Sequence, residues 1–152
     1  MKLQGENGMA FTLEIAGYRT PGIVDRFWEA NWLIVSCRIE HPRGGWSFSE
    51  PSLATFELEQ LARWFDGVAQ GNPDPKAGYF SESHLTFLYA PPPVSAIEVR
   101  FAFEAAPPWL IDRNLRLDGA VLSFPLAFNE PRACAHYLRD QLARFPQRGE
   151  PG

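Results

Sequence analysis

Apolar and polar residues alternate along much of the chain, and the segments that do so predict strands. Residues 9–18 place Met9, Phe11, Leu13 and Ile15 on one side and Thr12 and Glu14 on the other, as a half-buried strand requires. Arg19 to Arg26 contains Pro21 and Gly22, which break regular pairing. The alternation resumes over 31–40, with Leu33, Val35, Cys37 and Ile39 on one face and Trp32, Ile34, Ser36, Arg38 and Glu40 on the other. His41-Pro42-Arg43-Gly44-Gly45 then predicts a turn, because proline presets one dihedral and glycine tolerates positive φ. Beyond it Trp46 and Phe48 alternate with Ser47 and Ser49, so this segment pairs back as a hairpin strand. The stretch from Asp25 to Trp46 holds three of the five tryptophans.

The period then changes from two to about 3.6. Over 55–70 Leu58, Leu61, Phe65 and Val68 fall in one helical stripe, Glu59, Arg63 and Asp66 face water, and Glu57 and Trp64 share the border. Thr55 is the expected N-cap and Gly71 the expected C-terminal stop, with Glu57 at the positive end of the helix dipole. Asn72-Pro73-Asp74-Pro75 is a loop.

Residues 84–90 and 95–104 predict two more strands, the second with Ile97, Val99, Phe101 and Phe103 inward and Glu98, Arg100 and Glu104 outward. A strand over 120–128 carries Pro125, which points to an edge or bulge. Asn129 is the expected cap of a last helix, about 130–145, whose stripe is Cys134, Leu138, Leu142 and Phe145, with His136, Arg139, Asp140 and Arg144 facing water. The expected fold is α+β: one domain, residues 1–152, with a mostly antiparallel twisted sheet or sandwich and two amphipathic helices.

Composition narrows the function classes. The formal charge of −4 and pI near 5.4 provide no basic field for nucleic acid or an anionic membrane. Residues 51–90 are the acidic part, with Glu57, Glu59, Asp66, Asp74 and Glu82 against Arg63 and Lys76, either a solvated surface or a docking face for a basic partner. The N-terminus lacks a signal-like apolar run and no stretch is long enough to span a bilayer, so a cytoplasmic location is expected. Cys37 and Cys134 lie on apolar stripes and are expected to be buried, reduced thiols.

Catalytic and metal-binding patterns are missing. His41, His84 and His136 are not joined by HxxxH, CxxC or HxH spacing, no serine lies in a GxSxG elbow, and Gly44-Gly45 precedes tryptophan rather than a phosphate-binding helix. No cofactor, metal ligand or catalytic residue is assigned.

Trp28-Glu29-Ala30-Asn31-Trp32-Leu33, the turn Pro42-Arg43-Gly44-Gly45-Trp46, Ser52-Leu53-x-Thr55 opening a helix that ends in Trp64-Phe65, Pro107-Pro108-Trp109, Phe124-Pro125-Leu126, and Leu142-x-x-Phe145-Pro146 with Arg148 resemble the WapI-like immunity proteins. The extra glycine between Pro42 and Trp46 departs from that pattern and bears on the hairpin register. The resemblance implies a non-catalytic bacterial protein that binds a toxin domain and protects the cell making it. Trp28, Glu29, Trp32, Trp46, Glu57, Glu59, Trp64 and Asp66 are then the expected contact residues, the acids for steering and the tryptophans for anchoring. The alternative is a small-ligand or carbohydrate-binding sandwich in which Trp28, Trp32 and Trp46 form one stacking platform.

Overall fold

The computed structural model describes residues 1–149. Four strands, β1 (Lys2–Gln4), β2 (Ala10–Tyr18), β3 (Trp32–Glu40) and β4 (Trp46–Ala54), form an antiparallel sheet in that order. A second antiparallel sheet holds β5 (Leu85–Ala90), β6 (Ala96–Phe101) and β7 (Ala120–Pro125). The helices are α1 (Phe27–Asn31), α2 (Thr55–Ala69), α3 (Arg113–Asp118) and α4 (Pro131–Arg144). The fold is α+β, as the change of period from two to 3.6 predicts.

The inward residues of β2 and β3 explain how these layers meet. Phe11 sets its ring edge-on to Phe101 of the second sheet at 5.1 Å, and lies 6.4 Å from Phe87 and 6.3 Å from Phe124. Trp64 and Phe65 of α2 complete the contact with Phe87, each at 5.7 Å. One apolar cluster therefore runs through both sheets, α2 and α4, and truncating a phenylalanine at its centre, such as Phe11→Ala, costs about 3–5 kcal/mol. The opposite face of the four-stranded sheet is solvated: Glu14, Arg38, Ser47 and Ser49 are exposed, and Ser36 and Ser49 share a cross-strand hydrogen bond of 2.6 Å.

Two bulges shape this sheet. Ala16 is unpaired in β2 and Ser52 in β4, because Ile34 faces both Gly17 and Pro51 while Leu33 faces Tyr18 and Leu53. The Pro42–Trp46 turn, whose extra glycine left the register open, sets Ile39 opposite Trp46. Both glycines are required there: Gly44 has φ of 114°, and a Cβ on Gly45 would lie 2.8 Å from the Ile39 carbonyl oxygen.

Several local expectations are corrected. The sixth strand ends at Phe101, since Phe103 adopts φ of 55° in a short 3-10 turn, Phe103–Ala105, and is exposed. Thr55 is the first residue of α2, not its cap; Ala54 holds that position, and the Glu57 carboxylate accepts from the Ala54 N–H at 3.0 Å. Asn129 does not cap α4 either: it exchanges hydrogen bonds with the Gln4 backbone at 2.7 and 2.9 Å and donates to the Pro125 carbonyl at 2.6 Å, fastening β1 beside the end of β7. Gly71 does close α2 with φ of 76°, and the Asn72 N–H returns to the Gly67 carbonyl at 2.8 Å.

Candidate interaction surface

α1 carries the most exposed tryptophan cluster. Five residues cannot sustain a helix by themselves, so its order comes from tertiary partners. Asn31 is fully buried and makes four hydrogen bonds: its amide nitrogen donates to the carbonyls of Phe27 at 2.6 Å and Arg148 at 2.8 Å, and its oxygen accepts from the Thr55 hydroxyl at 2.9 Å and the Arg148 N–H at 2.8 Å. The helix is thereby tied to α2 and to the C-terminal segment.

This anchoring presents Trp28 to solvent, 52% exposed. Its ring meets Phe56 edge-on at 5.1 Å and lies 6.2 Å from Trp32, while Phe27 stacks on Phe56 at 5.5 Å with 7° between planes. Trp32 begins β3 on the solvated side of the sheet, where Ile34 and its partner Pro51 extend the apolar surface. Glu29 of α1 and Arg26, the residue just before the helix, form an exposed ion pair of 3.3 Å. Phe27 and Phe56, which complete the cluster, were not singled out from sequence; their signal was only proximity to Trp28 and to the helix start.

The other expected contacts lie elsewhere. Trp64 is 1% exposed and Glu57 3%, so both are structural: Trp64 packs on Phe65 and Phe87, and the second oxygen of Glu57 accepts from the Ser81 N–H at 2.8 Å. The border of an amphipathic stripe is solvated only if nothing covers it, and here the 75–84 segment does. Glu59 and Asp66 are half-buried and committed to Arg139 of α4, which donates at 3.2 and 2.7 Å and whose pKa these hydrogen bonds raise further. Arg139 was expected in water; instead it bridges the two helices.

Trp46 does not share a surface with Trp28 and Trp32. It points inward at the opposite end of the hairpin, donates from its indole nitrogen to the Ala105 carbonyl at 2.9 Å and meets Phe101 edge-on at 5.8 Å. Trp109 packs against it at 5.2 Å, with His41 at 4.7 Å and the Arg43 guanidinium at 4.7 Å over the Trp109 ring. Burial and the neighbouring Arg43 charge hold the His41 pKa below its usual value. The three-tryptophan stacking platform is therefore not formed.

A serine–histidine–glutamate array exists that spacing did not reveal. His84 lies between Ser52, 2.9 Å from its Nδ1, and Glu104, 2.8 Å from its Nε2. The bulge in β4 turns Ser52 inward, where it is 1% exposed, so no substrate reaches its hydroxyl. The array joins β4 to the second sheet and satisfies a buried histidine. Among the described residues no group of three or more His, Cys, Asp or Glu side chains could hold a metal ion, and no helix is long and apolar enough to cross a membrane. Cys37 and Cys134 are buried free thiols. Burial raises both thiol pKa values, that of Cys134 to about 11.

The family model described as the immunity protein WapI-like family matches residues 2–146. The chain belongs to the WapI-like immunity protein family. No curated protein and no solved structure matches it. In this WapI-like chain Trp28 is the most exposed tryptophan, and it stands beside Phe27, Trp32 and Phe56.

Proposed function

We propose that this protein neutralises a cognate toxin domain by non-catalytic binding, in the cytoplasm of the cell that makes it, through the surface formed by Phe27, Trp28, Trp32 and Phe56. Family membership supports the immunity role. The single observation that carries the choice of surface is a tryptophan left 52% exposed on a helix held by buried hydrogen bonds. Rigid, exposed aromatic groups dominate binding energy because they bury large apolar area with little loss of side-chain entropy.

The net charge of −4 favours a basic partner, and Glu29 supplies a polar rim. Glu59 and Asp66, already paired with Arg139, contribute less to steering than free carboxylates would. The test is a pull-down of the tagged protein against the C-terminal domain of the polymorphic toxin encoded beside it, followed by growth rescue in cells expressing that domain. Capture with rescue supports immunity; absence of both, with the toxin active, removes it.

A further inference from the structure

The C-terminal segment is fastened to the loop that leads into α1 by one side chain, Arg148, two residues beyond the span that the family model matches. Its guanidinium donates to the Ala30 carbonyl from Nε at 2.9 Å and Nη2 at 2.7 Å, to Pro21 at 2.7 Å and to Thr20 at 3.0 Å. The same group stacks 3.7 Å from the centre of the Tyr18 ring, and the Tyr18 hydroxyl donates to the Pro146 carbonyl at 2.5 Å. The Arg148 backbone exchanges two 2.8 Å hydrogen bonds with the Asn31 side chain.

These contacts answer a specific need. Ala30 lies in the last turn of α1, whose carbonyls lack helical partners and carry the negative end of the dipole. A planar, permanently charged fork meets several such carbonyls at once; a lysine ammonium cannot reproduce that geometry while stacking on tyrosine. Beyond the Arg148 contacts, the Thr20–Asn31 segment is tied to the rest of the fold chiefly by the Thr55 hydroxyl, which donates to the Asn31 side-chain oxygen at 2.9 Å, while the Thr20 hydroxyl donates within the segment to the Glu29 carbonyl at 2.8 Å.

We infer that Arg148 is a positioning residue for toxin binding: it latches the Thr20–Asn31 segment to the Tyr18 ring and so preorganises Trp28 for its partner. This rests on the proposed immunity role of the aromatic surface. Preorganisation lowers the ordering cost of association, so releasing the latch weakens binding although Arg148 itself touches no partner.

The test uses the full chain, its Arg148→Ala and Arg148→Lys variants, Trp28→Ala, and the Arg148→Ala/Trp28→Ala double variant. Hydrogen exchange of the free proteins is expected to show at least tenfold faster exchange at amides in 20–31 in Arg148→Ala, with amides of β2, β3 and α2 unchanged, and Arg148→Lys restoring only part of the protection. Titration with the inactivated C-terminal domain of the neighbouring toxin is expected to show at least tenfold weaker binding for Arg148→Ala, and no further loss when that change is added to Trp28→Ala. Unchanged exchange at 20–31, or losses that multiply independently in the double variant, would overturn the inference. A folded Trp28→Ala that binds as the parent does removes the aromatic surface as the contact, and the exchange measurement then decides the latch alone.

Discussion

Arg139 of α4 stands 2.7 Å from Asp66 of α2, with Glu59 of the same helix accepting at 3.2 Å, so the two principal helices are joined by one guanidinium between two carboxylates. All three side chains are about two-fifths exposed, and water weakens their attraction. Arg139→Ala is expected to cost about 1 kcal/mol in urea unfolding, and the difference shrinks in about 1 M salt, where exposed charges are screened within a few ångströms.

Asn31 is the more consequential polar residue. Its amide nitrogen faces two carbonyl oxygens, those of Phe27 and Arg148, at full burial. Asn31→Asp is nearly isosteric but sets an oxygen against both, and is expected to destabilise by about 3–4 kcal/mol at neutral pH. Chemical denaturation read by tryptophan fluorescence measures this; a loss below about 1 kcal/mol would mean that the segment rearranges around the change.

The buried thiols predict an alkaline limit to stability. The Cys134 pKa is raised from 9.0 to about 11, and that of Cys37 is raised well above 9.0, both by burial. A raised folded pKa means the unfolded chain releases its protons first, so stability is complete below pH 9.0 and falls as pH rises toward about 11. For Cys134 alone the loss amounts to about 2–3 kcal/mol across that window. Cys134→Ala should flatten the decline in equilibrium unfolding, and both thiols should resist alkylation at pH 8 until the protein is unfolded.

Ser52 offers a check on the sealed array. Ser52→Ala removes a buried hydrogen bond to His84 and is expected to cost about 1–2 kcal/mol. A fluorophosphonate probe, which labels activated serines, should leave Ser52 unmodified in the folded protein by mass spectrometry; labelling there would reveal access that its burial does not provide.

The strands were legible because alternation depends on local pattern: the inward sets Phe11–Leu13–Ile15 and Leu33–Val35–Cys37–Ile39 are buried as read. The α2 stripe Leu58, Leu61, Phe65 and Val68 was legible for the same reason. What escaped was set by distant partners. β1 has three residues and is held by Asn129, and α1 has five and is held by Arg148, so neither carries a period of its own. Glu57 and Trp64 fell on the border of the helical stripe, where burial depends on the 75–84 segment. The array at His84 needed a bulge that turns Ser52 inward, and bulges leave no mark in a simple alternation. Of the tryptophan platform, only the Trp28 and Trp32 pair shares a surface.

The decisive measurement is calorimetric titration of Trp28→Ala, with Trp109→Ala as the control from the other aromatic cluster, against the inactivated C-terminal domain of the neighbouring toxin. Trp28→Ala is expected to weaken binding by about 100-fold, near the 2–3 kcal/mol typical of a central aromatic anchor, while Trp109→Ala stays within a few-fold of the parent. Parent-like affinity in a folded Trp28→Ala, or a loss confined to Trp109→Ala, would contradict the assignment of the Trp28 surface as the toxin-binding face.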